Sequence, residues 1–263
     1  MSAQPANGLN VRREEVAGLL AEGHSAAARS ALIRLWHEHG GPAAAGFVLS
    51  TLERLARPPL ACRVAVMRSF TVEPLVPVLR AAAALNGIDI QTYIGPFNAY
   101  VQEAVDAASG LYAFKPDVVF LTLQARDLAP DLWSGFADLD SAGTQAAVVR
   151  VVDGFRSWLR AFRAHSRASV VVHNLEWPAD LANGIGDGQT EPGQMAAFLE
   201  INRALAQLPR EFGGVYVLDY ARLIARHGHT HWFDEQKWQT ARMPIAAGAL
   251  IHLAREWLRY IHP

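Results

Sequence analysis

The hydrophobic positions of the first part of the chain repeat with the period of a helix. From residue 11 to about residue 57, apolar side chains recur every three or four positions, which is the spacing of a buried helix stripe. A glycine and proline break at residues 40–42 separates the last of these stripes from the earlier ones. The pattern predicts an N-terminal helical hairpin of two or three short helices, preceded by a disordered segment over residues 1–10.

After the two prolines at positions 58 and 59, short apolar runs alternate with helical stripes. Alternation of this kind requires parallel strand pairing with right-handed crossovers. We therefore predict an α/β fold, a flavodoxin-like doubly wound sheet of five parallel strands, with residues 1–58 as an N-terminal helical extension and residues 59–263 as the α/β domain. The predicted strands are residues 63–67, 88–94, 117–123, 169–173 and 215–218, and the predicted helices are residues 72–85, 99–107, 143–165, 195–208 and 245–261.

Composition and charge exclude several classes of function. The 24 basic and 25 acidic residues leave a net charge of -1, so no positive surplus attracts nucleic acid. The longest apolar runs are far shorter than a membrane span, and the first residues are too polar for a signal peptide. One cysteine, Cys62, forms no internal disulfide and suits a reducing compartment. The sequence predicts a cytoplasmic protein that binds neither nucleic acid nor membranes.

Four candidate site residues each follow one of the predicted strands. Open parallel sheets place their ligand sites at the carboxyl ends of the strands. Ser69 follows the first strand, Gly95 the second, Gln124 the third and Asn174 the fourth, so we expect these residues to converge on one pocket. A serine at such a turn can face backbone N–H groups that stabilise an oxyanion, or it can cap the next helix. His173, at the end of the fourth strand, more often packs in a core than acts as a base.

A histidine-rich segment precedes the last predicted helix. His227, His229, His231 and Asp234 form a cluster that could bind zinc, because alternating histidines on an extended segment point to one side, but no further ligand pair accompanies them. We predict no metal and no other cofactor. His231 and Asp234 could instead form a base and its orienting carboxylate, or Asp234 could cap a helix that begins at the next residue. Arg242 offers a cation for a carboxylate or a phosphate.

Several segments resemble, in the same order, the amino-terminal region of FkbH-like proteins. They are VMRSFTVEPL from residue 66, YIGPFNAY from residue 93, SGLYAFKPDVV from residue 109, HWFDEQKW from residue 231 and ARMP from residue 241. Members of this family activate a glyceryl group and load it onto a carrier protein in polyketide biosynthesis. The resemblance implies an SGNH-hydrolase type of α/β domain, with an acyl carrier protein or its phosphopantetheine arm as the partner.

The resemblance also implies roles for particular residues. Ser69 matches the nucleophile position of the SGNH hydrolases, Gly95 matches the oxyanion glycine, and Gln124 lies near the position of a third-block asparagine. The terminal Asp-x-x-His-Pro motif is degenerate, because aligning its proline on Pro244 puts Met243 in place of the histidine. A serine without a general base loses most of its catalysis.

His173, His231 or Asp234 would then have to supply the missing base. FkbH-like proteins continue into a HAD-type phosphatase domain, whereas this sequence ends at Pro263 without one. We therefore expect the glyceryl-activating half to be absent or to belong to a larger enzyme.

Three functions remain open. The first is an acyl- or glyceryl-handling domain that acts on a carrier-protein thioester, as a serine-dependent acyltransferase or hydrolase. The second is a non-catalytic docking module that recruits a carrier protein or a phosphatase domain. The third is a carbohydrate O-acetyl esterase or acetyltransferase, which rests on fold analogy alone.

Overall fold

Five strands form a single sheet in the computed structural model, which describes residues 4–55 and 58–261. The strands are β1 (Leu60–Arg68), β2 (Ile88–Ile94), β3 (Val118–Thr122), β4 (Ser169–His173) and β5 (Val215–Leu218). Their order in the sheet is β2-β1-β3-β4-β5, and the pairs β1–β3, β3–β4 and β4–β5 are parallel. This order is that of the flavodoxin-like doubly wound sheets, as the sequence predicted.

Helices flank the sheet. None of those described is long and apolar enough to cross a membrane. In chain order they are α1 (Gln4–Ala21), α2 (Ser25–His39), α3 (Pro42–Leu55), α4 (Leu75–Leu85), α5 (Tyr100–Val105), α6 (Gly110–Phe114), α7 (Ala125–Leu128), α8 (Pro130–Trp133), α9 (Ser141–His165), α10 (Gln194–Leu205), α11 (Leu208–Glu211), α12 (Tyr220–His227), α13 (His229–Trp232), α14 (Glu235–Ala241) and α15 (Leu250–Ile261), with short 3-10 turns at Phe136–Asp138 and Gly184–Gln189.

The N-terminal helices belong to a packed unit with α4 and α15. In this unit α1 packs on α2, α2 on α3, α3 on α4, and α4 on α15. The predicted disorder over residues 1–10 is wrong for residues 4–10, which form the start of α1. A proline at position 5 is compatible with this, because the first helical turn tolerates a residue without an N–H group. The boundary between an extension (1–58) and a domain (59–263) stays a prediction.

The second unit contains the core against which the functional turns are held. It comprises residues 63–71 and 92–244. Met67 of β1, Leu121 of β3 and Val172 of β4 share a buried apolar cluster with Phe155 of α9 and Phe198 of α10. Burial of each large side chain of this kind contributes about 1.5–3 kcal/mol. All five residues of β3 are buried, as the continuous apolar run of a central parallel strand predicts.

The region around the histidine-rich segment differs from the prediction. His229 and His231 lie in a helical turn, α13, so the expectation of an extended segment with alternating histidines is wrong. The preceding helix α12 was not predicted, and it begins where the Asp219 side chain accepts a hydrogen bond from the Arg222 N–H group at 3.1 Å. The last helix begins at Leu250 and not at residue 245, because residues 247–249 form a turn.

Candidate functional site

Ser69 lies in the turn after β1, where bonds to the neighbouring strand hold it. Its side chain and backbone are 1% exposed. Its N–H group donates to the carbonyl of Thr122 at 3.2 Å, and its Oγ accepts from the N–H group of Gln124 at 2.9 Å. The alternative that Ser69 caps the next helix is wrong, because the N-cap of α4 is Pro74 and no side chain bonds there. The hydroxyl therefore faces the start of α7.

Asp127 is the carboxylate beside this hydroxyl. It lies at the surface, yet partial burial by its neighbours raises the pKa of its carboxyl group above the usual value. A hydrogen-bonding interaction with Ser69 and the charges of Arg242 and Arg126 act in the opposite direction and lower that pKa. Ser69, Asp127 and two guanidinium groups thus form one electrostatic cluster. Asp127 lies three residues after Gln124 and so at the same edge of the sheet, but no role was predicted for it from the sequence.

Two arginines contact the indole ring of Trp238. The guanidinium carbon of Arg126 lies 4.4 Å from the centroid of this ring and 5.0 Å from that of Trp133. The guanidinium carbon of Arg242 lies 5.0 Å from the Trp238 centroid. Glu235, whose side chain is exposed, pairs with the mostly buried Arg126 side chain at 3.4 Å, and a pair of this length contributes little to stability. Cation–π contacts of this kind hold the planar guanidinium groups in place.

The backbone of Arg242 ties α14 to the Ser69 turn. Its carbonyl accepts the N–H group of Thr71 at 2.8 Å, and the carbonyl of Ala241 accepts the Thr71 hydroxyl at 2.6 Å. Arg242 has a φ of 52°, in the left-handed region, which costs a residue with a Cβ atom about 1–2 kcal/mol. Non-glycine residues in such conformations concentrate at functional sites.

Gly95 and Asn174, the two other strand-end candidates, use their polar groups inside the fold. The N–H group of Gly95 donates to the carbonyl of Val66 at 2.9 Å, so it is not available to an oxyanion unless that bond breaks. The Asn174 side chain donates to Asp219 at 2.8 Å and accepts from the N–H group of Ala221 at 2.9 Å. Asn174 therefore links β4 to the start of α12. An oxyanion role for Gly95 or Asn174 stays a prediction.

His231 and Asp234 each have partners of their own. Asp234 caps α14, since its Oδ1 accepts the N–H group of Lys237 at 3.0 Å and its Oδ2 pairs with the Lys237 ammonium group at 3.0 Å. These contacts lower the pKa of Asp234. His231 is exposed, and its Nδ1 lies 3.4 Å from the Thr230 hydroxyl. The capping alternative for Asp234 is thus the one observed, and a catalytic role for the pair stays a prediction.

Gln124 and its aromatic neighbours form a buried polar layer behind Ser69. Gln124 is 0% exposed, and neither atom of its amide has a partner in normal hydrogen-bond geometry. Its amide does lie near enough to the Tyr220 hydroxyl to affect it, and that hydroxyl accepts the indole N–H of Trp232 at 2.9 Å. His173 stacks on Tyr220 with ring centroids 4.9 Å apart, and burial lowers the pKa of His173 to about 3. This imidazole is therefore neutral at physiological pH.

Glu176 is a buried carboxyl group just after the end of β4 for which no role was predicted from the sequence. It is 2% exposed, its Oε1 accepts the N–H group of Ala125 at 3.1 Å, and its Oε2 has no hydrogen-bond partner. Burial raises its pKa to about 7. Its position three residues after the end of β4 was the available signal, because that is the edge at which ligands bind.

An apolar cavity of about 120 Å³ lies near Asp127. Tyr100, Leu123, Leu128 and Phe155 are among its lining residues. Leu128, the residue after Asp127, is part of this lining, so the cavity begins next to Asp127 in α7. Burial raises the pKa of the Tyr100 hydroxyl, and the negative charge of Asp127 raises it further. Within residues 4–55 and 58–261, no three histidine, cysteine or acidic side chains are grouped as metal ligands would be.

Residues 63–262 match the family described as FkbH, N-terminal domain. Among solved structures, the N-terminal part of the protein BF1531 from Bacteroides fragilis, which contains a phosphatase domain complexed with Mg, is similar with a TM-score of 0.65 and 14% identity. That match covers 76% of this chain and 51% of that chain, so the chain spans about half the length of this relative.

The lipase Lip_vut3 from a goat rumen metagenome is similar with a TM-score of 0.54 and 14% identity, over 76% of this chain and 97% of that one. At such identities these likenesses show the fold alone. No curated protein matches the sequence. Because the family match covers most of the chain, this protein belongs to the family of FkbH N-terminal domains, built on the SGNH-hydrolase type of α/β fold.

Proposed function

We propose that this domain receives the acyl-bearing phosphopantetheine arm of an acyl carrier protein at the Ser69 turn. The observation that carries the proposal is the pair of guanidinium groups, Arg126 and Arg242, held on Trp238 beside Ser69 and Asp127. The arm begins with a phosphodiester, and a planar guanidinium is the side chain best suited to bind phosphate oxygens.

The apolar cavity near Asp127 suits the other end of the arm. Its volume of about 120 Å³ is equivalent to roughly four water molecules at about 30 Å³ each, which is room for a short acyl group. Its lining by Leu121, Leu123 and Phe155 favours an apolar chain over a sugar. An arm whose phosphate contacts Arg242 and whose acyl group enters this cavity would pass Ser69.

Binding is better supported than hydrolysis because no histidine is in contact with the Ser69 hydroxyl in the described residues. Hydrolysis by serine needs a base that takes the hydroxyl proton. His173 stays neutral but stacks on Tyr220, and Asp234 caps a helix.

The first experiment measures binding of a carrier protein with and without its phosphopantetheine arm. We expect the arm-bearing form to bind more tightly, and Arg242→Gly to lower that affinity about tenfold, the equivalent of 1.4 kcal/mol. Glycine tolerates the left-handed backbone of this position, so the variant should fold. Arg222→Ala, at an exposed arginine elsewhere, is the control. Equal binding of both carrier forms, or unchanged affinity in Arg242→Gly, would refute the proposal.

A second candidate function, acyl transfer through Ser69, is favoured by the Ser69–Asp127 interaction alone. In this reaction Asp127 would take the hydroxyl proton as Oγ attacks the thioester carbonyl, and the arm would leave as its thiolate. Asp127→Asn and Ser69→Ala should then keep carrier binding and lose acyl transfer, as read by the mass of the carrier. Unchanged transfer in both variants would exclude acyl transfer through Ser69 and Asp127.

A further inference from the structure

A second cavity, of about 90 Å³, lies next to Glu176. Its lining residues are Glu176, Trp177, Ala221, Ile224, Ala225 and His229. It shares none of them with the apolar cavity near Asp127. Ala225 is exposed, so the cavity reaches the surface at this residue. Its volume equals roughly three water molecules, which limits an occupant to a few non-hydrogen atoms.

Two buried polar atoms among these lining residues have no hydrogen-bond partner. They are Oε2 of Glu176 and Nε2 of His229. Buried polar atoms without partners are uncommon in proteins, and each requires an explanation such as a bound ligand. The other carboxyl oxygen of Glu176 is held by the N–H group of Ala125, which fixes the orientation of the group.

Both unpartnered atoms are hydrogen-bond acceptors. His229 interacts with the backbone of Trp177 in a way that raises its pKa, as a ring N–H group donating to a carbonyl does, while burial lowers that pKa more strongly. The imidazole is therefore neutral, and in the tautomer that carries its proton on Nδ1 the Nε2 atom is an acceptor. An ionised Glu176 carboxylate also only accepts. A complementary ligand must supply at least two donors.

We propose that this cavity binds a small primary alkylammonium ion, whose nitrogen donates to Oε2 of Glu176 and Nε2 of His229. An ammonium group has three N–H donors and a charge that compensates the buried carboxylate. Ala221 and Ile224 provide the apolar wall for the short alkyl group, and the indole of Trp177 is a further favourable neighbour for a cation. An alcohol has one donor, and a carboxylate has none and would oppose the charge of Glu176.

The charged and titratable neighbours of Glu176 determine how binding depends on pH. Arg126 lowers the pKa of Glu176 and Asp127 raises it, both from α7, while the hydroxyl of Tyr220 in α12 interacts with Glu176 and stays neutral. Arg126 lowers the pKa of His229 and Asp180 raises it, while burial lowers it most. Because burial raises this pKa to about 7, half of the carboxyl groups must lose a proton before a cation binds at that pH. Affinity should therefore rise with pH, by about tenfold between pH 6 and pH 8, and binding should release a proton.

The test is a titration of the full chain with ethylammonium chloride, followed through the NMR signals of the His229 ring, beside matched titrations with ethanol and sodium acetate. We expect only ethylammonium to bind, and about tenfold more tightly at pH 8 than at pH 6. Glu176→Gln keeps an acceptor for Ala125 and should abolish binding. His229→Ala, at a half-buried position, should weaken binding when followed by calorimetry. Glu200→Gln, at an exposed carboxyl, should leave it unchanged.

Each contrary result overturns the proposal. Tighter binding of ethanol or acetate would mean that the cavity serves a neutral or anionic ligand. Unchanged affinity in both Glu176→Gln and His229→Ala, tighter binding at pH 6, or no binding of ethylammonium by the unaltered protein would each exclude the ammonium site. None of these outcomes bears on carrier binding, since Arg242 and Ser69 do not line this cavity.

Discussion

Replacing Glu176 by glutamine should change how the stability of the protein depends on pH. The carboxyl group is fully buried, and its folded-state pKa of about 7 is higher than the value of 4.5 for a free glutamate. The folded protein therefore keeps this proton over a pH range in which the unfolded chain has lost it. Since the folded state binds more protons there, the free energy of unfolding falls as pH rises from 4.5 to about 7.

The size of the effect follows from the difference between the two pKa values. Each unit is worth 1.36 kcal/mol, so the shift from 4.5 to about 7 corresponds to a loss of about 3 kcal/mol by pH 8. Glutamine is uncharged at every pH, has nearly the same shape, and can accept from the N–H group of Ala125. Glu176→Gln should therefore match the unaltered protein near pH 5 and exceed its stability by up to about 3 kcal/mol at pH 8.

Urea unfolding at pH 5 and pH 8 measures this difference. Glu200→Gln is the control, because Glu200 is exposed and its replacement should give the same change in stability at both pH values. An equal stability difference between Glu176→Gln and the unaltered protein at pH 5 and pH 8 would contradict the raised pKa of Glu176. A Glu176→Gln variant that is less stable than the unaltered protein at pH 8 would contradict it as well.

Four further predictions concern other parts of the chain. Gly95→Ala should lower the free energy of unfolding by about 1–3 kcal/mol, as measured with urea, because the new Cβ would lie 2.7 Å from the methyl group of Met67. Gly46→Ala in α3, where the new Cβ meets open space, is the control and should be neutral or stabilising. Asp234→Ala should lower the melting temperature by about 2–4 °C through loss of a helix cap, and Asp234→Asn should restore most of it. Arg242→Gly should raise the free energy of unfolding by about 1 kcal/mol while it weakens carrier binding. Limited proteolysis should not release residues 1–58 from a stable remainder, since α3 packs on α4; rapid release would show an independent extension.

The sheet could be predicted because its strands carry their burial in their own sequence. Val118–Thr122 and Ser169–His173 are short, continuous apolar runs, and a strand covered on both faces needs such a run. Helical stripes between the runs require parallel pairing, which limits the order of the strands. Local signals were less reliable at helix ends and in α13, where a single turn of helix is too short to show a periodic pattern. The eight-residue helix α12 does carry buried positions at helical spacing and was missed.

The site depended on contacts between residues far apart in the chain. Ser69 and Gln124 were correctly expected at the same edge of the sheet, but their hydrogen bond joins residues 55 positions apart. The bond between Ala125 and Glu176 spans 51 positions. The sequence by itself determined the sheet, its order and the edge at which polar side chains collect. Only the tertiary structure decided which polar groups are already bonded, as is the N–H group of Gly95, and which are buried without a partner, as is Oε2 of Glu176. The reason is that hydrogen-bond partners and the exclusion of water depend on neighbours that the chain brings together only on folding.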